Sequence, residues 1–282
     1  MQTIDDPSMI QRHCAQLRRD DKRIGLVPTM GAFHDGHLSL MRRAHAENDI
    51  VVVSLFVNPI QFDRREDLDS YPRDLDGDLA QAADAGIDLV FAPSAEAIYP
   101  KGFQTYVDVT ELTEGLCGAS RPGHFRGVTT VVAKLFNLVR PHRAYFGQKD
   151  YQQSAVVRRL AADLNFDLEI IVSPTVRESD GLAMSSRNVR LTLQERRAAS
   201  VLYRSLAHAD ALVMAGERRT ATILKDVRTM IEAEPLARID YVAACHPDTL
   251  QTLDRIEGPA LIALAVRFGG TRLIDNIVIT PA

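Results

Sequence analysis

The chain has little cysteine, no long apolar run and no surplus of basic residues. Only Cys14, Cys117 and Cys245 occur, far apart and without a Cys-x-x-Cys pair, which excludes a disulfide framework and a zinc knuckle. The longest stretch free of charged residues is Ile50–Phe62, interrupted by Asn58, Pro59 and Gln61, whereas a membrane span needs roughly 20 apolar residues. The opening residues, with Asp5 and Asp6 and no apolar run, do not read as a secretory signal. Lys and Arg number 33 against 37 Asp and Glu, a formal charge of −4. That offers no broad electrostatic footprint for nucleic acid, although a local basic patch stays open. With 46% hydrophobic and 25% charged residues over 282 positions, neither disorder nor a fibrous repeat is indicated. The expectation is a soluble cytoplasmic protein of one large domain or two ordinary ones.

Nucleotide and nucleophile devices of the common kinds are missing too. There is no Gly-x4-Gly-Lys-Ser/Thr loop, no Gly-x-Gly-x-x-Gly after a strand, and no persuasive Cys-His or Gly-x-Ser-x-Gly arrangement. What is present is an alternation of strand and helix patterns. Ile24–Thr29 reads as a strand, Leu38–Asn48 as a helix, and Ile50–Val57 as a β-branched strand buried on both faces. Asp74–Ala85 reads as a helix closed by Gly86, Leu89–Ala92 as a strand, and Val128–Val139 as a helix. Ala144–Phe146, Tyr151–Leu164 and Leu168–Val172 continue as strand, helix, strand. Such alternation predicts α/β architecture, a Rossmann-like doubly wound parallel sheet over 1–176. Beyond it the pattern becomes two long helices, Leu193–Met214 and Ala221–Glu232, then short strands Ile239–Ala244, Leu261–Val266 and Leu273–Ile279. This predicts a second, smaller α+β C-terminal domain over 177–282.

Ligands of parallel sheets bind at the carboxyl ends of the strands. The segment that follows the first predicted strand is Met30-Gly31-Ala32-Phe33-His34-Asp35-Gly36-His37. Its glycines allow tight backbone, a helix start near His37 is a ready anion site, and His34 and His37 can face one way and donate to phosphate oxygens. Two solvated histidines in a turn are the plain alternative; a zinc pair lacks the usual His-x-x-x-His spacing. The second segment, Met184-Ser185-Ser186-Arg187-Asn188, sets hydroxyls beside a guanidinium on a turn, a combination suited to phosphates but common elsewhere.

The two segments together resemble the HIGH and KMSKS pair of the nucleotidyltransferase superfamily. Four further stretches narrow this: Phe56–Phe62, Tyr71–Asp74, Arg121–Val128 and Phe146–Gln153, together with Met184–Asn188, resemble the pantoate–β-alanine ligase (pantothenate synthetase) family, in that family's order. The resemblance implies ATP-dependent joining of pantoate to β-alanine through pantoyl adenylate, releasing AMP and pyrophosphate, with Mg2+ required, in a homodimer whose only partners are small molecules. It implies ATP contacts at Met30, Gly31, Ala32, Phe33, His34, Asp35, Gly36, His37, Gly147, Gln148, Lys149, Asp150, Val176, Met184, Ser185, Ser186 and Arg187. His37, His34 and Lys149 carry the catalytic roles. Gln61 and Gln153 hold pantoate, Gln61 also touching β-alanine, and Asp78 lies near the metal. The 1–176 domain would then bind ATP and pantoate, and the 177–282 domain would act as a lid. Two departures stand out: Gln148 where many members carry Glu, and Gly77 where some carry a metal-linked carboxylate. Rival readings are an adenylyltransferase making a dinucleotide-like product, a small tRNA synthetase lacking an obvious anticodon module, and a non-catalytic nucleotide sensor. The first would share the histidine pair but not Gln61 and Gln153.

Overall fold

A β-branched run such as Ile50–Leu55 has no polar face to offer water, so it belongs where helices cover both sides of a sheet. The computed structural model, which describes residues 1–281, puts it there: Val51, Val52 and Val53 are fully buried. In chain order the elements are β1 (Gln2–Ile4), α1 (Pro7–Arg19), β2 (Ile24–Thr29), α2 (Asp35–Glu47), β3 (Ile50–Leu55), α3 (Arg65–Asp69), α4 (Leu75–Asp84), β4 (Leu89–Phe91) and α5 (Ala95–Ile98). There follow α6 (Leu116–Ser120), α7 (His124–Val139), β5 (Arg143–Gly147), α8 (Tyr151–Asp163) and β6 (Glu169–Ser173). The chain ends with α9 (Leu193–Ala198), α10 (Val201–Met214), α11 (Thr220–Glu232), β7 (Ala237–Cys245), β8 (Ala260–Phe268) and β9 (Thr271–Ile279).

Strands β1 to β6 form one parallel sheet in the order β1-β4-β3-β2-β5-β6, the doubly wound arrangement that the alternation predicts. On one face Leu40, Met41 and Ala44 of α2 and Ala82 of α4 pack against Val27, Val51, Val53 and Val90. Helix α7 is buried along nearly its whole length. Its Thr129 and Thr130 can be buried because their hydroxyls bond back to the Phe125 and Arg126 carbonyls, at 2.8 and 2.6 Å.

Strands β7, β8 and β9 form an antiparallel sheet in chain order, its last hairpin turning at Gly269-Gly270. Helices α9, α10 and α11 supply the rest of that core, with Leu202, Leu206, Val213, Ile223 and Val227 against Ile262, Leu264 and Val266. The single helix expected over Leu193–Met214 is two. Ala199 and Ser200 keep right-handed helical angles, but the turn tightens there, with Leu202 N–H on Ala199 O and the Ser200 hydroxyl on Arg197 O.

The chain divides into two compact units. The larger comprises Met1–Thr113, Arg121–Gly147 and Gln153–Pro174; the smaller comprises Glu114–Ser120, Gln148–Gln152 and the chain from Thr175 onward. Side chains account for the two short excursions into the smaller unit. Gln152 accepts from Cys117 N–H and donates to Gly115 O, both at 2.9 Å, and Asn276 of β9 donates to the carbonyls of Gln148 and Lys149. Among the described residues no helix is long and apolar enough to cross a membrane.

Candidate active site

Strand β2 has β3 on one side and β5 on the other, and the chain leads away from it in both directions. It is therefore the switch point of the sheet, where ligands of such folds bind beyond the carboxyl ends. The Met30–His37 loop leaves from its end. Thr29 anchors the exit by donating from Oγ1 to Ser54 O at 2.7 Å. Gly31 follows with φ +82° and Ala32 with φ +52°, a left-handed pair that turns consecutive N–H groups to one side. A Cβ on Gly31 would lie 2.7 Å from Asp78 Oδ2.

Asp78 explains that turn. It is 2% exposed on α4, its Oδ2 accepting Ala32 N–H and its Oδ1 accepting Phe33 N–H, each at 2.8 Å. Burial pushes its carboxyl above the usual carboxylate range, the two N–H groups pulling the other way. Both oxygens of the residue expected near the metal are thus engaged in holding the loop. Among the described residues no group of three His, Cys, Asp or Glu side chains is arranged for a metal, so the donor set does not fit a dedicated cation cage. At Gly77 a Cβ would collide with the Asp74 carboxylate, which caps α4 by accepting Gly77 N–H at 3.0 Å.

Helix α2 starts earlier than its apolar spacing predicts, at Asp35, because His34 is its N-cap. The His34 Nδ1 accepts Gly36 N–H at 3.1 Å, and its carbonyl takes His37 and Leu38 N–H. An imidazole accepting at Nδ1 carries its hydrogen on Nε2 when neutral. The ring centroids of His34 and His37 are 4.1 Å apart, and Phe33 lies 5.6 Å from His37. The first-turn N–H groups are largely used within the turn, so the hydrogen-bonding capacity toward an anion rests with the imidazoles. Asp35 is exposed on the first turn, where its charge suits the helix dipole.

Gln61 joins this loop. It is 8% exposed, donates from Nε2 to Met30 Sδ at 3.0 Å, and accepts Asn58 Nδ2 at 2.9 Å. Its carbonyl accepts from His124 Nδ1 at 2.7 Å and from Arg121 at 3.3 Å. A carbonyl can only accept, so His124 donates at Nδ1 and its Nε2 accepts from Arg121, 3.1 Å away. Arg121 is further held by Asp63 at 3.0 Å. Gly127 lets α7 approach this segment: a Cβ there would sit 2.5 Å from Ile60 O and 2.6 Å from Gln61 Cα. The Arg121–Val128 motif thus fixes the backbone of Gln61, a role that no single residue type announces in sequence. Gln153 stands half-buried on the first turn of α8.

The remaining candidates belong to the smaller unit, apart from Gly147, which ends β5. Gln148–Asp150 form one tight helical turn, with Lys149 Nζ 3.7 Å from Asp150. Val176 accepts Met184 N–H at 3.0 Å, closing a small loop. Ser185 caps the turn Ser186–Arg190 by accepting Arg187 N–H at 3.3 Å. Asn188 ties this turn to Glu178 and Ala183, at 2.8 and 3.1 Å. The larger unit therefore gathers His34, His37, Met30, Gln61 and Asp78, and the smaller gathers Lys149, Asp150 and the Ser185–Arg187 turn.

The chain is similar to proteins of one family along its whole length. Residues 2–278 match the family model described as pantoate-beta-alanine ligase. The pantothenate synthetase of Moorella thermoacetica is 56% identical over 279 residues, 99% of each chain. A crystal structure of the pantothenate synthetase from Thermus thermophilus superposes with a TM-score of 0.95 at 49% identity over the whole of both chains. That of pantoate-beta-alanine ligase from Francisella tularensis, complexed with "Beta-gamma ATP and Beta-alanine", gives 0.82 at 35% identity, covering 99% of this chain and 97% of the other.

Proposed function

The chain belongs to the pantoate–β-alanine ligase family and condenses pantoate with β-alanine at the expense of ATP, and from that premise we propose that the reaction runs through pantoyl adenylate on the residues described above. A carboxylate does not yield an amide directly because its oxygen is a poor leaving group. Attack of the pantoate carboxylate on the α-phosphorus expels pyrophosphate, and attack of the β-alanine amine on the acyl carbon then expels AMP. Neither step needs a protein nucleophile. Catalysis is positioning and charge stabilisation.

The observation that carries this reading is the contact of Gln61 with Met30. It sets the amide proposed to hold pantoate against the loop proposed to hold ATP, so that carboxylate and α-phosphate would meet there, an arrangement a simple adenylyltransferase has no use for. Met30–His37 would bind adenine and phosphates, His34 and His37 donating to phosphate oxygens and His37 acting as proton donor. Gln61 and Gln153 would grip pantoate, Gln61 also facing β-alanine. Gly147, Gln148, Asp150, Val176 and Met184 would line the nucleotide, while Lys149, Ser185, Ser186 and Arg187 supply hydrogen bonds and charge to the phosphates. Mg2+ would arrive on the ATP phosphates, as this ion commonly does, with Asp78 bracing the loop.

The proposal extends to a homodimer working on small molecules in the cytoplasm, with the smaller unit as a lid. Three buried thiols, none in a disulfide, suit a reducing compartment. Incubation with ATP, pantoate and β-alanine should yield AMP and pantothenate in equal amounts. ADP, a dinucleotide-like product, or no product would contradict the reading.

A further inference from the structure

Asp275 and Asn276 are neighbours on β9, 2% and 3% exposed, opposite Leu264 and Ala263 of β8. Two polar side chains buried in succession in the middle of a strand are costly unless each is well bonded. The sheet itself uses only their backbones, so their side chains answer to something else.

The Asn276 Nδ2 group donates to two consecutive carbonyls, Gln148 O at 3.0 Å and Lys149 O at 2.9 Å. Its Oδ1 is buried and makes no hydrogen bond among the described residues. The orientation of the amide is fixed all the same, because a flip would set its oxygen against two carbonyl oxygens. Asp275 is as firmly held. Its Oδ1 accepts Asn276 N–H at 2.8 Å, and Arg177 grips the carboxylate at 2.6 and 3.0 Å. Arg177 lies 4.6 Å over the Tyr203 ring and donates to Gly181 O at 3.0 Å. It thereby shapes the small loop that Val176 and Met184 close and from which Ser185–Arg187 emerges.

We propose that Asn276 is a positioning residue for the Gln148–Asp150 phosphate loop, and that with Asp275 it makes β9 the common anchor of both phosphate-binding segments of the smaller unit. Asn276 touches no reacting atom. It fixes the backbone from which Lys149 projects, while Asp275 fixes the second segment through Arg177. The inference rests on the ligase reading, in which Lys149 meets the phosphates of ATP.

The test separates the two half-reactions. With ATP and pantoate, Asn276→Ala should form pyrophosphate and adenylate about ten- to a hundredfold more slowly and show a raised KM for ATP, the scale of a small misplacement of a charge-stabilising group. With saturating pantoyl adenylate and β-alanine, where Lys149 has no triphosphate to meet and weakened nucleotide contacts of Gln148 and Asp150 no longer limit the rate, the same variant should stay within about twofold of wild type. In the Lys149→Ala background the further change at Asn276 should add less than about twofold, because residues acting through one group are not additive. Asn276→Asp, which keeps the volume but replaces the donor with an oxygen, should be at least as slow as Asn276→Ala in the first half-reaction. Should Asn276→Ala not fold, Asn276→Ser keeps one donor and should show a smaller loss confined to that same half-reaction. Equal losses in both half-reactions, or effects of Asn276 and Lys149 that multiply, would overturn the inference alone. Failure of the wild type to form adenylate would overturn the ligase reading beneath it.

Discussion

His37 shares the helix start with its N-cap His34, rings 4.1 Å apart, and is the side chain on which the proposed phosphate chemistry leans most. His37→Ala should slow adenylate formation about a hundred- to a thousandfold, the usual scale of losing one oriented donor to developing charge. Rapid-quench measurement of pantoyl adenylate decides it, and a near-normal rate would remove His37 from the catalytic set. Asp78 calls for a different experiment. Because both its oxygens hold N–H groups of the loop, Asp78→Asn keeps one acceptor and loses the other. Adenylate formation should fall roughly tenfold, as expected for loosening a preorganised loop. The Mg2+ concentration giving half-maximal rate should not move. A clear rise in that concentration would make Asp78 a ligand of the ion instead of a brace. These roles set the limit of what sequence discloses at this scale. The histidine loop stands out as a local motif, whereas Gln61 and the Ser-Ser-Arg turn are weak signals alone and stand out only through the resemblance to the ligase family. Their braces are not local: Asp78 reaches Ala32 from 46 residues away, His124 reaches Gln61 from 63, and Asn276 reaches Lys149 from 127. A buried Asp or Asn looks like any other until the fold brings it to its partner.

Among the elements, strand β2 carries the loop, and its first residue has an unusual support. Ile24 N–H donates to the His142 Nδ1 at 2.9 Å, beside the place where β2 and β5 pair. That bond needs a neutral ring nitrogen. Burial lowers the His142 pKa below its ordinary 6.5, with the Arg18 and Arg23 guanidiniums adding to the effect and Asp167 and Asp21 opposing it. A ring that binds its proton less readily when folded leaves stability whole above about 6.5 and lets it fall as the pH drops through the depressed folded value. Urea unfolding of the wild type should therefore weaken from pH 8 toward pH 5 more steeply than that of His142→Gln. Parallel slopes would exclude the ring as the cause. The strands and helices of the sheet were legible because continuous β-branched runs and apolar spacing leave few alternatives. Five elements escaped: β1, α1 and the short helices α3, α5 and α6. The three-residue β1 is too short to show a period, whereas α1 escaped despite a legible signal, an Asp6 cap, Pro7 at the first position and Ile10 and Cys14 buried four residues apart. The break at Ala199–Ser200 escaped as well, since neither residue is a helix breaker.

For the molecule as a whole, the phosphate-binding candidates divide between two units, His34 and His37 in the larger, Lys149 and Ser185–Arg187 in the smaller. If the smaller unit is a lid, binding of a non-hydrolysable pantoyl adenylate analogue should lower the radius of gyration in small-angle scattering, as closures that complete a site do. Superimposable curves with and without the analogue would count against a large closure. The family membership and the parallel sheet with its switch point account for ATP chemistry in general. The central claim is narrower: pantoate is activated at its carboxylate by attack on the α-phosphorus. Pantoate labelled with 18O in the carboxylate tests it directly, because the oxygen that forms the bond to phosphorus stays with that phosphorus when the amine displaces it. Mass spectrometry of the products should find the label in AMP and none in pyrophosphate. Label in inorganic phosphate, or ADP as the nucleotide product, would contradict the account.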